Sequence, residues 1–188
     1  KDTPASETAK FTLLPVAKVL VPDGSREVVP GSGEVGMVAQ GGMVPLGYYK
    51  DPENSAKTFK EVDGKRYAFI GDMATVEADG TINLLGRGSN CINTGGEKVF
   101  PEEVEEALKL HPAVEDALVF GLEDERFGNR VAGVVSIEKG GTADADEVLE
   151  ATRKLLASYK LPKELLVVPV VPRVPNGKAD YKAVKALV

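Results

Sequence analysis

The sequence predicts an α+β chain. An antiparallel, β-rich N-terminal segment is followed by a small α+β domain with a short sheet flanked by helices. Three observations predict it. Residues 13–70 read as short strands broken by turn-prone pairs. Residues 86–90 are glycine-rich, polar and without apolar period, which marks a boundary and divides the chain into 1–86 and 87–188. From Pro101 onward, helical spacing alternates with strand runs, the pattern of a compact unit built on a short sheet.

Taken in order, residues 1–12 are polar and unpatterned and predict a loose lead-in. Residues 16–21 predict a strand closed by Asp23-Gly24, and 34–38 a second, with Pro30-Gly31-Ser32-Gly33 as a turn between them. Asp51-Pro52 has the form of an N-cap followed by proline at the first helical position, which predicts a short helix to about Phe59. Residues 73–76 and 81–84 flank Ala78-Asp79-Gly80 and predict a hairpin, because glycine accepts positive φ in a tight turn.

In the second half, residues 101–109 predict a helix with Val104, Ala107 and Leu108 on one face. Residues 114–120 and 130–137 predict strands. Residues 144–159 predict a long helix, with Asp144 as N-cap and Glu147 completing a capping box. Val148, Ala151, Leu155 and Tyr159 would form its buried stripe, and Leu161-Pro162 would stop it. A strand at 165–168 and a closing helix at 180–187 complete the reading.

Composition narrows the function. Apolar residues make up 43% and charged residues 28% of 188, ordinary for a globular protein. The formal net charge of -6 argues against non-specific nucleic-acid binding, which needs clustered Lys and Arg to displace counterions. The single cysteine, Cys91, excludes an intrachain disulfide, fits a reducing, cytoplasmic setting and reads as a buried small residue. No apolar run approaches the roughly 18 residues that a spanning helix needs. The chain starts at Lys1 without an apolar signal segment, and also without Met, as expected of a fragment or a processed chain.

Several motifs carry candidate chemistry. Gly31-Ser32-Gly33-Glu34-Val35-Gly36 matches a dinucleotide fingerprint in letters, but no helix starts there and proline precedes it, so it reads as a turn. Asp72 follows Gly71 at an expected strand end, where a carboxylate can accept two hydrogen bonds from a vicinal diol or cap local amides. Arg87 offers a fixed fork of donors for phosphate or ribose oxygens, or a solvated surface charge. Gly95-Gly96-Glu97-Lys98 is a turn that lets backbone pass close to a ligand, or a simple hairpin. Lys178, after Pro175-Asn176-Gly177, can stabilise negative charge on a transferring group, or stand solvated on its loop. Glu102, Glu103 and Glu105 suit a helix N-terminus. His111 is the only histidine and reads as structural. Residues 123–128 read as a charged loop.

Ile70-Gly71-Asp72, Gly86-Arg87, Gly95-Gly96-Glu97-Lys98, Pro101-Glu102-Glu103-Val104-Glu105 and Pro175-Asn176-Gly177-Lys178 recur in a fixed order. Together they resemble the C-terminal half of the AMP-forming acyl-CoA synthetase (adenylate-forming) superfamily. The resemblance runs from about Gly33 to Lys178. It implies that residues 1–86 are the β-rich tail of a large domain and 87–188 a mobile lid.

The resemblance also implies roles. Lys178 is the catalytic lysine of adenylation. Asp72, Arg87 and Lys98 contact ATP or AMP, with Asp72 on the ribose. Gly96 and Gly95 leave room for the pantetheine arm of CoA. Ser89 is the hinge, standing where the family usually carries Asp or Lys, and Ile70 stands where it usually carries Thr. The implied substrates are a small carboxylic acid, ATP and CoA, with magnesium held by ligands upstream of Lys1. The run around Gly95 is most similar to actinobacterial ligases for long-chain or steroid-derived acids. The chain alone is expected to be nearly inactive. Two other readings share the scaffold: an amino-acid or aryl-acid adenylating enzyme that loads a carrier protein, and a non-catalytic binding module.

Overall fold

The computed structural model describes residues 10–188. They fall into two compact units that divide between Ser89 and Asn90. The expected lead-in at 1–9 lies outside the described residues.

The first unit is one antiparallel sheet. Its strands are β1 (Lys10–Phe11), β2 (Ala17–Leu20), β3 (Gly36–Gln40), β4 (Phe59–Val62), β5 (Lys65–Val76) and β6 (Ile82–Arg87). The order is β1-β6-β5-β3-β2, with β4 paired to the first half of β5 and β6 to the second. Side chains alternate across this sheet, as period 2 requires. Val19, Ala74, Val76 and Ile82 pack together in one cluster, while Leu20, Ala39, Tyr67 and Phe69 pack in another. The helix α1 (Pro52–Thr58) starts where the Asp51-Pro52 signature places it, with the Asp51 carboxylate accepting from the Asn54 N–H. The hairpin at Asp79-Gly80 forms as expected, with Val76 opposite Ile82 and Asp79 accepting from both the backbone and the hydroxyl of Thr81.

Two expectations for this unit are corrected. β3 begins at Gly36, not Glu34, because Glu34 is drawn into the preceding turn, where its N–H bonds the Ser32 hydroxyl and its carboxylate pairs with Arg26. Asp72 lies inside β5, not at a strand end, because the strand continues through Gly71 to Val76.

The second unit holds a three-stranded sheet of order β11-β10-β9. β9 (Val114–Asp124) and β10 (Gly128–Ile137) are antiparallel, and β11 (Glu164–Val167) joins β10 in parallel. Period 2 gives the sheet two buried faces. Ala117, Val119, Val131 and Val135 meet Val104 and Leu108 of α2 (Pro101–Lys109) and Val148 of α3 (Ala145–Thr152). On the opposite face Leu118, Phe120, Ala132 and Val134 meet Val171 and Val184, the latter from α4 (Tyr181–Lys185). Helices thus flank a short sheet, as the sequence predicts. A separate hairpin, β7 (Ile92–Thr94) with β8 (Glu97–Val99), adds Ile92 and Val99 to the first of these clusters.

The helix expected at 144–159 is half that length. The Asp144 cap forms, accepting from the Glu147 N–H, but α3 ends at Thr152. The Thr152 hydroxyl turns back to the Val148 carbonyl, and Leu155 N–H bonds the Thr152 carbonyl in a tight turn. The buried stripe is also displaced. Val148 and Thr152 are buried with Ala145, Leu149 and Leu156 beside them, while Ala151, Leu155 and Tyr159 are exposed. Apolar residues at both 148/149 and 155/156 fit two helical registers, and packing on the sheet selects the other one. Cys91 is half-buried instead of buried, and burial pushes its thiol pKa up. The charged segment 123–128 is half strand, since β9 runs to Asp124 and β10 starts at Gly128, and residues 125–127 form a tight turn whose Arg126 and Phe127 N–H groups bond the Asp124 carboxylate.

Candidate functional site

Asp72 and Arg87 face each other across β5 and β6, where they are register partners. The Arg87 Nε lies 3.1 Å from Asp72 Oδ1, and Nη1 also reaches the Ile70 carbonyl oxygen. Both side chains stay open to solvent, at 33% and 58% exposure. The structure therefore brings together two residues that sequence reasoning treats separately. A carboxylate and a guanidinium side by side offer an acceptor pair for a diol and a donor fork for an anion. Ser89 follows in a short 3-10 turn, Gly88–Asn90, and is exposed.

Gly95 and Gly96 form the two-residue turn of the β7–β8 hairpin, closed by Thr94 opposite Glu97. Their φ values of +59° and +90° are the left-handed pair such a turn requires, which is why both positions are glycine. Gly95 is braced: its N–H bonds the Phe127 carbonyl at 3.0 Å, and a Cβ there would stand 3.2 Å from the Phe127 ring. Gly96 faces open space, with nothing within 4 Å of a built Cβ. Lys98 stands exposed on β8 opposite Asn93.

Lys178 sits at the end of a second tight turn. Val174 N–H bonds the Lys178 carbonyl, Gly177 N–H bonds the Val174 carbonyl, and Lys178 N–H bonds the Asn176 side chain. Lys178 is exposed. The turn is tied down at its base by Arg173, which grips Asp116 of β9 with two bonds of 2.7 Å. That contact holds the Asp116 carboxyl below the usual carboxylate range and raises the Arg173 guanidinium. Tyr181, just beyond the turn, lies at the far end of a 3.4 Å contact from the Asn90 amide, and its phenol is pushed up to about 12, by burial first and then by Glu105 and Glu102.

Sequence reasoning missed Arg173, Asp116 and Glu105. Glu105, assigned only to the helix N-terminus, is half-buried with Oε1 accepting from the Val119 N–H, and its pKa is raised to about 7, chiefly by burial. Arg173 and Asp116 are 57 residues apart, so no local spacing could pair them. Among the described residues, no group of three or more His, Cys, Asp or Glu could hold a metal ion. No helix among them is long and apolar enough to cross a membrane.

Residues 103–178 match the protein family described as AMP-binding enzyme C-terminal domain. The chain is 53% identical over 163 residues to the 3-oxocholest-4-en-26-oate--CoA ligase of Rhodococcus rhodochrous, covering 87% of this chain and 29% of that protein. It is 51% identical over 167 residues to a medium/long-chain-fatty-acid--CoA/3-oxocholest-4-en-26-oate--CoA ligase of Mycolicibacterium smegmatis, covering 89% of this chain and 30% of that protein. The chain thus spans under a third of the length of these relatives. Among solved structures, ATP-bound MatB from Rhodopseudomonas palustris superposes with a TM-score of 0.78 at 31% identity, over 94% of this chain and 35% of that one. The chain belongs to the AMP-forming acyl-CoA synthetase (adenylate-forming) superfamily and carries its C-terminal portion.

Proposed function

We propose that this chain is the C-terminal part of an acyl-CoA ligase for fatty or steroid-derived acids that works in the cytoplasm. In the first step a carboxylate oxygen attacks the α-phosphorus of ATP. The bond to the bridging oxygen breaks, pyrophosphate leaves, and acyl-AMP forms. In the second step the CoA sulfur attacks the acyl carbon, AMP leaves, and the thiol proton is released to solvent.

Residues 1–86 are the end of the large domain and 87–188 the lid, which turns about Ser89 between the steps. Lys178 serves the first step, as a point charge on the α-phosphate and carboxylate oxygens. Asp72 binds the ribose hydroxyls, and Arg87 and Lys98 the nucleotide phosphates and ribose. Gly96, with Gly95, lets the pantetheine arm pass in the second step. Magnesium, where the reaction uses it, would be held by residues of the full-length protein outside this chain. One cleft serving two reactions needs such a gate.

The observation that carries this reading is Lys178 itself: an exposed lysine on a turn closed by bonds from the Val174, Gly177 and Lys178 N–H groups. A merely solvated lysine needs no such frame. The ligase names of the relatives support the acid and CoA, and the ATP-bound neighbour supports the nucleotide. The test is ATP- and CoA-dependent AMP release over a panel of carboxylates, with this chain and the full-length protein side by side. Release by the long form alone, with a long-chain or steroid acid, is expected. Release that needs a carrier protein in place of CoA would move the assignment to an amino-acid or aryl-acid adenylating enzyme. Silence from the long form would leave a binding module.

A further inference from the structure

The turn that carries Lys178 is held from below by one guanidinium. Arg173 Nε lies 2.7 Å from Asp116 Oδ2 and Nη2 lies 2.7 Å from Oδ1, the parallel fork that fits a carboxylate. Its Nη1 donates to the Gly177 carbonyl at 3.2 Å. One side chain therefore links β9 to the residue next to Lys178. The backbone completes the frame, with Arg173 and Ala179 bridged across the turn and Asp180 N–H on the Pro172 carbonyl at 3.2 Å. Asp116 is itself fixed, because Oδ1 accepts from the Ala117 N–H at 2.9 Å.

This pair is poorly placed to hold the fold. Its side chains are 35% and 27% exposed, and ion pairs that open to water contribute little stability. The segments flanking the turn are anchored independently, by Val171 on one side and Val184 on the other, both buried in one cluster. The pair instead sets where the turn stands on the sheet.

We propose that Arg173 and Asp116 are positioning residues for Lys178. They fix the turn so that the ammonium meets the reacting phosphate and carboxylate in the adenylation step. The proposal rests on the reading of Lys178 given above. Charge stabilisation acts only from a set position, and a shift of about 1 Å in a positioned group can cost roughly 100-fold in rate.

The test uses the full-length protein and follows the two half-reactions separately in Asp116→Asn, Arg173→Lys, Asp116→Glu, Lys178→Ala and the double variant Asp116→Asn/Lys178→Ala. Asp116→Asn keeps the shape and removes the charge. It should lower kcat of adenylation roughly 10- to 100-fold with little change in KM, while thioester formation from preformed acyl-AMP stays within about twofold. Arg173→Lys should do the same, since an ammonium cannot make the fork, and Asp116→Glu should recover part of the rate. In the Lys178→Ala background Asp116→Asn should add nothing, because the group it positions is gone. Hydrogen exchange at Gly177 and Lys178 should speed up in Asp116→Asn.

Unchanged adenylation in Asp116→Asn, with Lys178→Ala inactive, overturns the proposal and leaves the reading of Lys178 standing. Equal loss in both half-reactions, or a full further loss in the double variant, shows a merely structural pair and also overturns it. Full adenylation by Lys178→Ala brings down both.

Discussion

Arg87 reaches across from β6 to Asp72 on β5 at 3.1 Å, so two residues assigned to the same nucleotide are already paired in the sheet. A pair this exposed contributes at most about 1 kcal/mol to stability. The pair therefore contributes little to folding. In the full-length protein, Arg87→Ala should lower the melting temperature by no more than a few degrees. It should raise KM for ATP roughly tenfold, the equivalent of about 1.4 kcal/mol. Steady-state kinetics and thermal melts on one preparation check both. A large loss of stability with unchanged KM would remove Arg87 from the nucleotide site.

Glu105 gives the second unit a pH dependence. Burial disfavours its charge and pushes its pKa in the folded state up to about 7, from an ordinary value of 4.5. The folded state thus binds more protons than the unfolded state between those two values, and stability falls as pH rises through that window. The ionised form costs on the order of 2 to 3 kcal/mol above pH 7. Glu105→Gln keeps an oxygen for the Val119 N–H and carries no charge to bury. Chemical denaturation at pH 5 and pH 8 should show wild type losing stability over this range and the variant losing far less.

Lys160 pins the segment after α3 to α2 through Glu103, at 2.6 and 2.8 Å, with both side chains only 20% exposed. Lys160→Ala leaves a partly buried carboxylate without its cation and should cost about 1 to 3 kcal/mol. The double variant Glu103→Gln/Lys160→Met should recover part of that loss, since it removes both charges together. Urea unfolding midpoints decide this.

Gly96 separates steric from functional effects. A side chain there meets no atom of the protein within 4 Å, so its structural cost comes only from the positive φ, about 1 to 2 kcal/mol. Gly96→Leu in the full-length protein should slow thioester formation strongly and spare adenylation. Gly95→Ala adds a close contact of 3.2 Å with the Phe127 ring to the cost of a positive φ, so the hairpin should be destabilised as well. Unchanged CoA transfer in Gly96→Leu would remove the pantetheine assignment.

Local chemistry was the legible part of this sequence. Asp51 and Asp144 each cap a helix by accepting from the backbone N–H three residues on, and Asp79-Gly80 turns a hairpin. The face of α2 that carries Val104, Ala107 and Leu108 is buried as its spacing predicts. What was missed depends on partners remote in sequence. The end of α3 is set by which of two apolar registers meets the sheet. Asp72 looked like a strand end because Gly71 resembles a break, yet pairing with β6 carries β5 through it. The strands beside Gly95-Gly96 are three residues each, too short for a period to register, although the glycine pair signalled their turn. Asp116 and Arg173 meet only because β9 and the last turn adjoin, and nothing near either residue announces that contact.

The most direct test of the central claim is Lys178→Ala in the full-length protein, with pyrophosphate release and thioester formation from preformed acyl-AMP measured side by side. The account predicts adenylation slowed by at least roughly 100-fold, as loss of a preorganised charge on a developing anion costs, and thioester formation within about twofold of wild type. Equal slowing of both half-reactions, or of neither, would contradict it.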